Sequence, residues 1–330
     1  MVSWEMKRTN PRRKEEIYFS GEHKNITTLK NEAILNTNGY IHNPIPLYPE
    51  EPEFHISKVA HVTQTSKIED ILDLNGFRGG DRSLLWWSLA IKHDDIRAAE
   101  DRYLENIFPD RTPGQREAQR EIGSFLNQFT TSPAFKQASR YGNFRFTLSL
   151  SDLLKMYSEQ ICGGEKPVLK VYETTVYKQE IMYSVLVHSP SVDEFEEYPF
   201  LGDGSDDAVC GYRENNVEGE GRGHIVWRAQ AMSATQKVGL TINKMDKIVE
   251  TDGKVYNQWY MWDHVTLALH LPEGLLLNVD RENLIENLTA CEADDPFLGD
   301  DRMSLLDAET KVQNLNNSET DEQNQSGRLH

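Results

Sequence analysis

HVTQTSKIEDILDLNGFRGG, residues 61–80, is the stretch whose reading decides the fold. Together with Val59 and Ala60 before it, its first residues make an apolar run ending at Thr63. That run is too short for a helix and reads as a buried strand. Ser66 stands three residues before Glu69, the spacing of a reciprocal cap at a helix start. Ile68, Ile71 and Leu72 fall on one helical face. Asn75-Gly76 supplies the left-handed stop expected just past a helix end. Phe77 is placed to pack back on the helix, and Arg78-Gly79-Gly80 leaves as a loop. A strand carrying a histidine thus feeds a short helix and a Gly-punctuated loop.

Working outward, Leu84–Ile91 (LLWWSLAI) is a continuous aromatic-rich apolar run and reads as a buried strand. Asp94 or Asp95 caps a helix with Ile96, Ala99, Tyr103, Leu104 and Ile107 on one face. A second helix opens at Thr112-Pro113 with Gln115 as the capping partner. Asn143 to Leu150 alternates as a strand, and Ser149 or Ser151 caps a helix that Gly163-Gly164 closes. Val168–Tyr177 and Gln179–His188 are two strand-like runs separated by Lys178 alone. One residue is too short for a hairpin loop, so a bulge or a bend in a continuing edge is expected. In the second run Ile181, Tyr183, Val185 and Val187 share one face, and Glu180, Met182, Ser184, Leu186 and His188 the other. Further β-like runs follow at 224–232, 237–242, 254–262 and 264–272, with Asp252-Gly253 as a turn and another strand at Leu275–Val279.

Charge divides the chain. Acids outnumber Lys and Arg 53 to 35, giving a net −18 over 330 residues. Residues 191–221 carry a net −9 and residues 292–330 a net −7, so the rest is nearly neutral. Such runs read as solvated segments: an acidic loop at 191–221 and a disordered acidic tail at 291–330. Residues 1–50, polar and with Pro11, Pro44, Pro46 and Pro49, read as a partly ordered extension. Residues 51–190 form the core unit, and 222–290 a β-rich continuation of it or an appendage. No long basic face is present to neutralise the phosphates of a nucleic acid duplex. Three distant cysteines, Cys162, Cys210 and Cys291, lack metal-binding spacing and fit a reducing compartment, the cytosol with the nucleus open. No run approaches membrane-spanning length. There is no G-x-S-x-G, Walker A or G-x-G-x-x-G sequence, and Gly219-Glu220-Gly221-Arg222-Gly223 sits among carboxylates that would repel phosphate.

The strand HVT, its helix and the loop NGFRGG resemble the first strand and helix of the ADP-ribosyltransferase fold, which includes diphtheria-toxin-like and poly(ADP-ribose)-polymerase-type domains. LLWWSL, TTSPAFKQASRYGNF and QEIMYSVLVHSP follow in that family's order, over roughly Phe54 to Pro190. The whole chain also looks like a fish virus-induced, interferon-responsive gene family. The first resemblance implies an α+β fold with a split, mostly antiparallel sheet and flanking helices. It implies NAD as substrate and ADP-ribosyl transfer to a macromolecular acceptor, or a catalytically silent relative that acts as an interaction protein in the interferon response. His61 would hold the adenosine ribose, the Thr63 backbone would face the nicotinamide amide, and Glu180 would be the catalytic carboxylate. Tyr141, Trp86 and Trp87 are the candidates to stack on nicotinamide, and Ser132 to contact a phosphate. The family's E-x-E pair is absent near Glu180, and so is the Arg-rich quartet of tRNA phosphotransferase relatives.

Overall fold

The computed structural model describes residues 6–10, 15–32, 41, 52–124, 126–128, 130, 133–136, 138–214, 223–230, 240–242, 248–250, 261–293 and 302–326. In chain order, Met6–Thr9 (β1) and Glu15–Ser20 (β2) precede a helix at Ile26–Asn31 (α1). Glu53–Ile56 (β3), Lys58–Thr63 (β4), Thr65–Asp73 (α2), Gly76–Arg78 (β5) and Leu84–Leu89 (β6) follow. Two helices, His93–Ile107 (α3) and Pro113–Ile122 (α4), lead to Phe144–Ser149 (β7) and Leu150–Ile161 (α5). Val168–Tyr177 (β8), Glu180–His188 (β9), Cys210–Arg213 (β10), His224–Arg228 (β11), Leu240–Ile242 (β12) and Ile248–Glu250 (β13) come next. Trp262–His270 (β14), Leu276–Asn278 (β15), Arg281–Glu286 (α6), Leu288–Ala290 (β16) and Leu305–Ser326 (α7) complete the described elements.

Nine strands form one sheet in the order β1-β2-β8-β9-β14-β6-β4-β7-β16. Its pairings are antiparallel except that of β14 with β9. The fold is therefore mixed α+β with a large, mostly antiparallel sheet. β4 and β6 pair only at Val59↔Leu89 and Ala60↔Ser88. A smaller sheet, β10-β11-β3, packs through Phe54 and Trp227, whose ring centroids lie 5.3 Å apart. No described helix is long and apolar enough to cross a membrane.

Alternation along the strands decides which side is core. Ile181, Tyr183, Val185 and Val187 of β9 and Val265, Leu267 and Leu269 of β14 are buried in the main cluster. They share it with Ile68, Ile71 and Leu72 of α2 and Leu150, Leu153, Leu154 and Tyr157 of α5. The opposite face is covered only in part. A second, small cluster of Leu84, Tyr172, Leu186, Phe195 and Ala268 closes one end of it. Beyond that cluster the face opens into a cavity.

Several local expectations are corrected. α2 begins at Thr65 with Gln64 as its cap residue, no side chain caps it, and Glu69 instead meets Lys311 of α7 at 2.8 Å. The left-handed stop expected at Asn75-Gly76 is present, with Asn75 as the residue that adopts it (φ 49°). Gly76 is needed for close approach: a Cβ there would lie 2.5 Å from the Leu277 carbonyl oxygen. β8 and β9 form a true hairpin with Tyr177↔Glu180 paired, because Gln179 leaves the strand and Lys178 adopts φ 51°. A bulge does occur, further back at Val171/Glu173.

The acidic segment is no free loop over 193–214. Phe195 is buried, the Val171 N–H donates to the Pro199 carbonyl at 2.8 Å, and β10 joins the smaller sheet. Within 222–290, the described strand β14 lies mid-sheet and β11 belongs to the smaller sheet, so these parts continue the core rather than stand apart from it. In the N-terminal extension β1 and β2 form one edge of the same sheet. Asp252-Gly253 lies outside the described residues.

The tail expected to be disordered is helical over Leu305–Ser326. Ala308 and Val312 enter the main cluster, four residues apart on one helical face, while Leu306 points out at 71% exposed. Sparse apolar residues suffice when their spacing matches a helix and a docking surface already exists. Ala308→Asp would bury an unpaired charge and should lower the unfolding free energy by about 2–3 kcal/mol, while Leu306→Asp should change it by less than about 0.5. Equal melting curves for the two variants would mean that the helix does not dock this way.

Candidate functional site

Glu180 opens β9 directly after the Lys178-Gln179 turn. It lies on the face opposite the buried Ile181 row, so its carboxylate enters the uncovered side of the sheet. Two cations or donors meet it there. Arg140 binds it bidentately, Nη1 to Oε2 at 2.8 Å and Nη2 to Oε1 at 2.7 Å. His264 Nε2 lies 2.9 Å from Oε1; because an ionised carboxylate only accepts, the imidazole is the donor. The parallel register Trp262↔Glu180 and His264↔Met182 puts His264 on the same face as the carboxylate. The Arg140 guanidinium also lies 5.3 Å from the Trp262 ring centroid and 5.9 Å from that of Tyr141. Burial alone would raise the Glu180 carboxyl, but the Arg140 charge and the hydrogen bonds from His264 and Arg140 outweigh it and hold the group at about 2. It is ionised across the physiological range.

The cavity here measures about 770 Å³, within the span of ordinary ligand sites. Its wall includes His61, Trp86, Trp87, Tyr141 and Glu180, which the resemblance had singled out from distant parts of the chain. His61 reaches it where β4 and β6 cease to pair. Its Nδ1 lies 2.9 Å from the Trp86 carbonyl and donates to it, and its ring packs edge-on against Phe77 at 5.1 Å. Burial lowers its pKa against the pull of that carbonyl, so the ring is neutral and Nε2 is left as an acceptor. Tyr141 is 46% exposed at the cavity mouth.

Three expectations fare differently. The Trp87 ring belongs to the core: it is 1% exposed and packs on Phe77 at 5.2 Å and His61 at 5.6 Å, since neighbours on a strand face opposite sides. Trp86 is the indole on the open face. Thr63 is buried and off the cavity wall, because the turn before β7 covers it. Gly142 (φ 143°) presses so closely that a Cβ would come within 2.0 Å of the Thr63 carbonyl oxygen. Ser132 lies outside the described residues.

Arg140, Trp262 and His264 were missed. Arg140 stood next to Tyr141 in a turn-rich stretch with no pattern of its own. His264 alternates on a strand like any other residue until the pairing of β14 with β9 is known. Comparison of the chain with protein-family models, curated proteins and solved structures found no match to any of the three.

A largely buried carboxylate stripped of its guanidinium is the costly case for an ion pair. Arg140→Ala should therefore lower stability at pH 7 by about 3 kcal/mol. The Glu180 carboxyl is depressed in the folded state, so its contribution is full above the ordinary value of 4.5 and is lost as pH falls towards about 2. The gap between wild type and Arg140→Ala should narrow over that window in acid titrations followed by circular dichroism. A gap constant with pH would contradict the pairing.

Proposed function

We propose that the cavity binds NAD and that the chain transfers ADP-ribose from it to a macromolecular acceptor. The observation that carries this reading is the convergence of His61, Trp86, Tyr141 and Glu180 on one cavity, with the carboxylate held ionised. NAD supplies a ribose–nicotinamide bond whose cleavage builds positive charge on the sugar while the bond's electron pair leaves with nicotinamide.

The chain's residues fit that chemistry. Glu180 is a fixed anion at the sugar, and such preorganised charge acts where charge develops. Its two oxygens offer about four acceptor sites; Arg140 and His264 take three, so one remains on Oε2 for a ribose hydroxyl. Nε2 of His61 can accept from the second ribose. Trp86 and Tyr141 present flat faces for an aromatic ring and exclude water beside the carboxylate.

A second reading has its own observation. The bidentate Arg140 pair neutralises the carboxylate that would stabilise the sugar cation. That arrangement suits a silent member of the same fold, which binds NAD or a protein partner without turnover.

Calorimetry of the full chain with NAD, together with nicotinamide release, separates these cases. Under the first reading NAD binds in the micromolar range, His61→Ala weakens binding at least about tenfold, and Glu180→Gln lowers release by about 100-fold. Because Glu180 is already ionised, release should show no acid limb between pH 5 and 8 attributable to it. Binding without release selects the silent reading. Absence of binding at millimolar NAD removes the nucleotide altogether.

A further inference from the structure

Arg140 and Tyr141 reach the cavity from a turn at 139–143, just before β7. On one side that turn rests on the end of β4, where Gly142 presses against the Thr63 carbonyl. On the other side the C-terminal part of the chain holds it. The Ser139 N–H donates to the Glu292 carbonyl at 2.7 Å, and Ser139 bridges Ala293 in parallel. The Cys291 N–H donates to the Asn143 carbonyl at 2.9 Å, and its thiol lies 3.4 Å from the Gly142 carbonyl oxygen.

Asn143, fully buried, joins the turn to the start of α7. Its Nδ2 donates to the carbonyls of Cys291 at 3.0 Å and Met303 at 3.1 Å, and its Oδ1 accepts from the Met303 N–H at 3.0 Å. Two carbonyls and one N–H facing one side-chain amide fix which end is nitrogen and which oxygen. The next residue, Ser304, accepts from the Asp307 N–H at 3.1 Å, as a helix cap does. α7 itself docks through a narrow stripe. Ala308 and Val312 are buried, Met303 and Leu315 pack on the core in part, and Leu305 and Leu306 are exposed. A segment held by so few apolar contacts opens at a lower free energy than the sheet it rests on.

We propose that Asn143 is a positioning residue through which the C-terminal segment sets the Arg140–Glu180 pair: docked, α7 keeps the guanidinium on the carboxylate, and undocked, it frees the carboxylate. The tail thereby acts as an autoinhibitory strap on the cavity. The pair depends on where the turn sits because two parallel hydrogen bonds of 2.7 and 2.8 Å tolerate little displacement of the backbone that carries the guanidinium. What a freed Glu180 does to a nucleotide rests on the NAD reading above; the coupling of tail to pair does not.

Urea unfolding of the full chain, without NAD, tests the coupling. Arg140→Ala is introduced into wild type and into the Asn143→Leu, Ala308→Asp and Leu306→Asp backgrounds. Ala308 and Leu306 both lie off the cavity wall, and of the two only Ala308 is buried. At pH 7 the fall in urea midpoint caused by Arg140→Ala should shrink by at least about half in Asn143→Leu and Ala308→Asp, and stay unchanged in Leu306→Asp. The narrowing of that fall in acid, which reports the ionised Glu180, should vanish in the same two backgrounds. A tail that only adds stability would leave the effect of Arg140→Ala additive and its pH profile intact. If Asn143→Leu fails to fold, Ala308→Asp decides alone, because it leaves the residues of the turn unchanged. An undiminished fall with an intact pH profile in Ala308→Asp would overturn the proposal, whatever NAD does.

Discussion

The insertion of β14 between β9 and β6 is the constraint on which the rest of the molecule depends. Without it the sheet is two four-stranded pieces, β1-β2-β8-β9 and β6-β4-β7-β16, each with an exposed edge of unpaired backbone groups. The late strand satisfies both edges at once, parallel on one side over Trp262–Leu269 and antiparallel on the other over Thr266–His270. Its Asp263, fully buried, accepts from the Trp227 indole N–H at 3.1 Å and from the Gln230 backbone N–H at 3.0 Å. The same strand therefore anchors the smaller sheet. The parallel register then delivers His264 to Glu180, so the geometry of the site follows directly from how the sheet closes.

Charge is arranged against the average. Two Arg–carboxylate assemblies border the larger cavity: Arg140 with Glu180 on one side, and Arg8 with Glu16 and Glu173 on the other. Arg8 makes contacts of 2.6 and 2.8 Å to Glu173 and 2.6 Å to Glu16. Desolvating such groups costs several kcal/mol each, and bidentate geometry with additional donors is what offsets it. Any ligand entering this cleft meets side chains that are already oriented. It gains from preorganisation, and it competes with the partners those groups hold.

The open face exists because cover is unequal. α2 and α5 fill one side of the sheet, while on the other, among the described residues, the 193–201 segment closes one end through Phe195 and Tyr198. Acidic residues on that segment do not prevent its docking, because Phe195 buries while Glu194 and Glu196 point to solvent. A net charge describes a stretch as a whole, whereas docking depends on one side chain in register with an apolar patch.

Much of the local structure was legible. The strand–helix unit at 58–73, the Thr112–Gln115 cap, the Ser149 cap and the buried row Ile181–Val187 follow from spacing and side-chain chemistry acting within a few residues. The sequence by itself determined these because caps, periodicity and alternation are short-range. Tertiary structure alone decided that β14 sits mid-sheet, that Trp86 rather than Trp87 faces the opening, that Gly142 covers Thr63, and that Arg140 and His264 converge on Glu180. Those outcomes depend on which distant strands share backbone hydrogen bonds and in what register, and no local pattern encodes a partner more than eighty residues away.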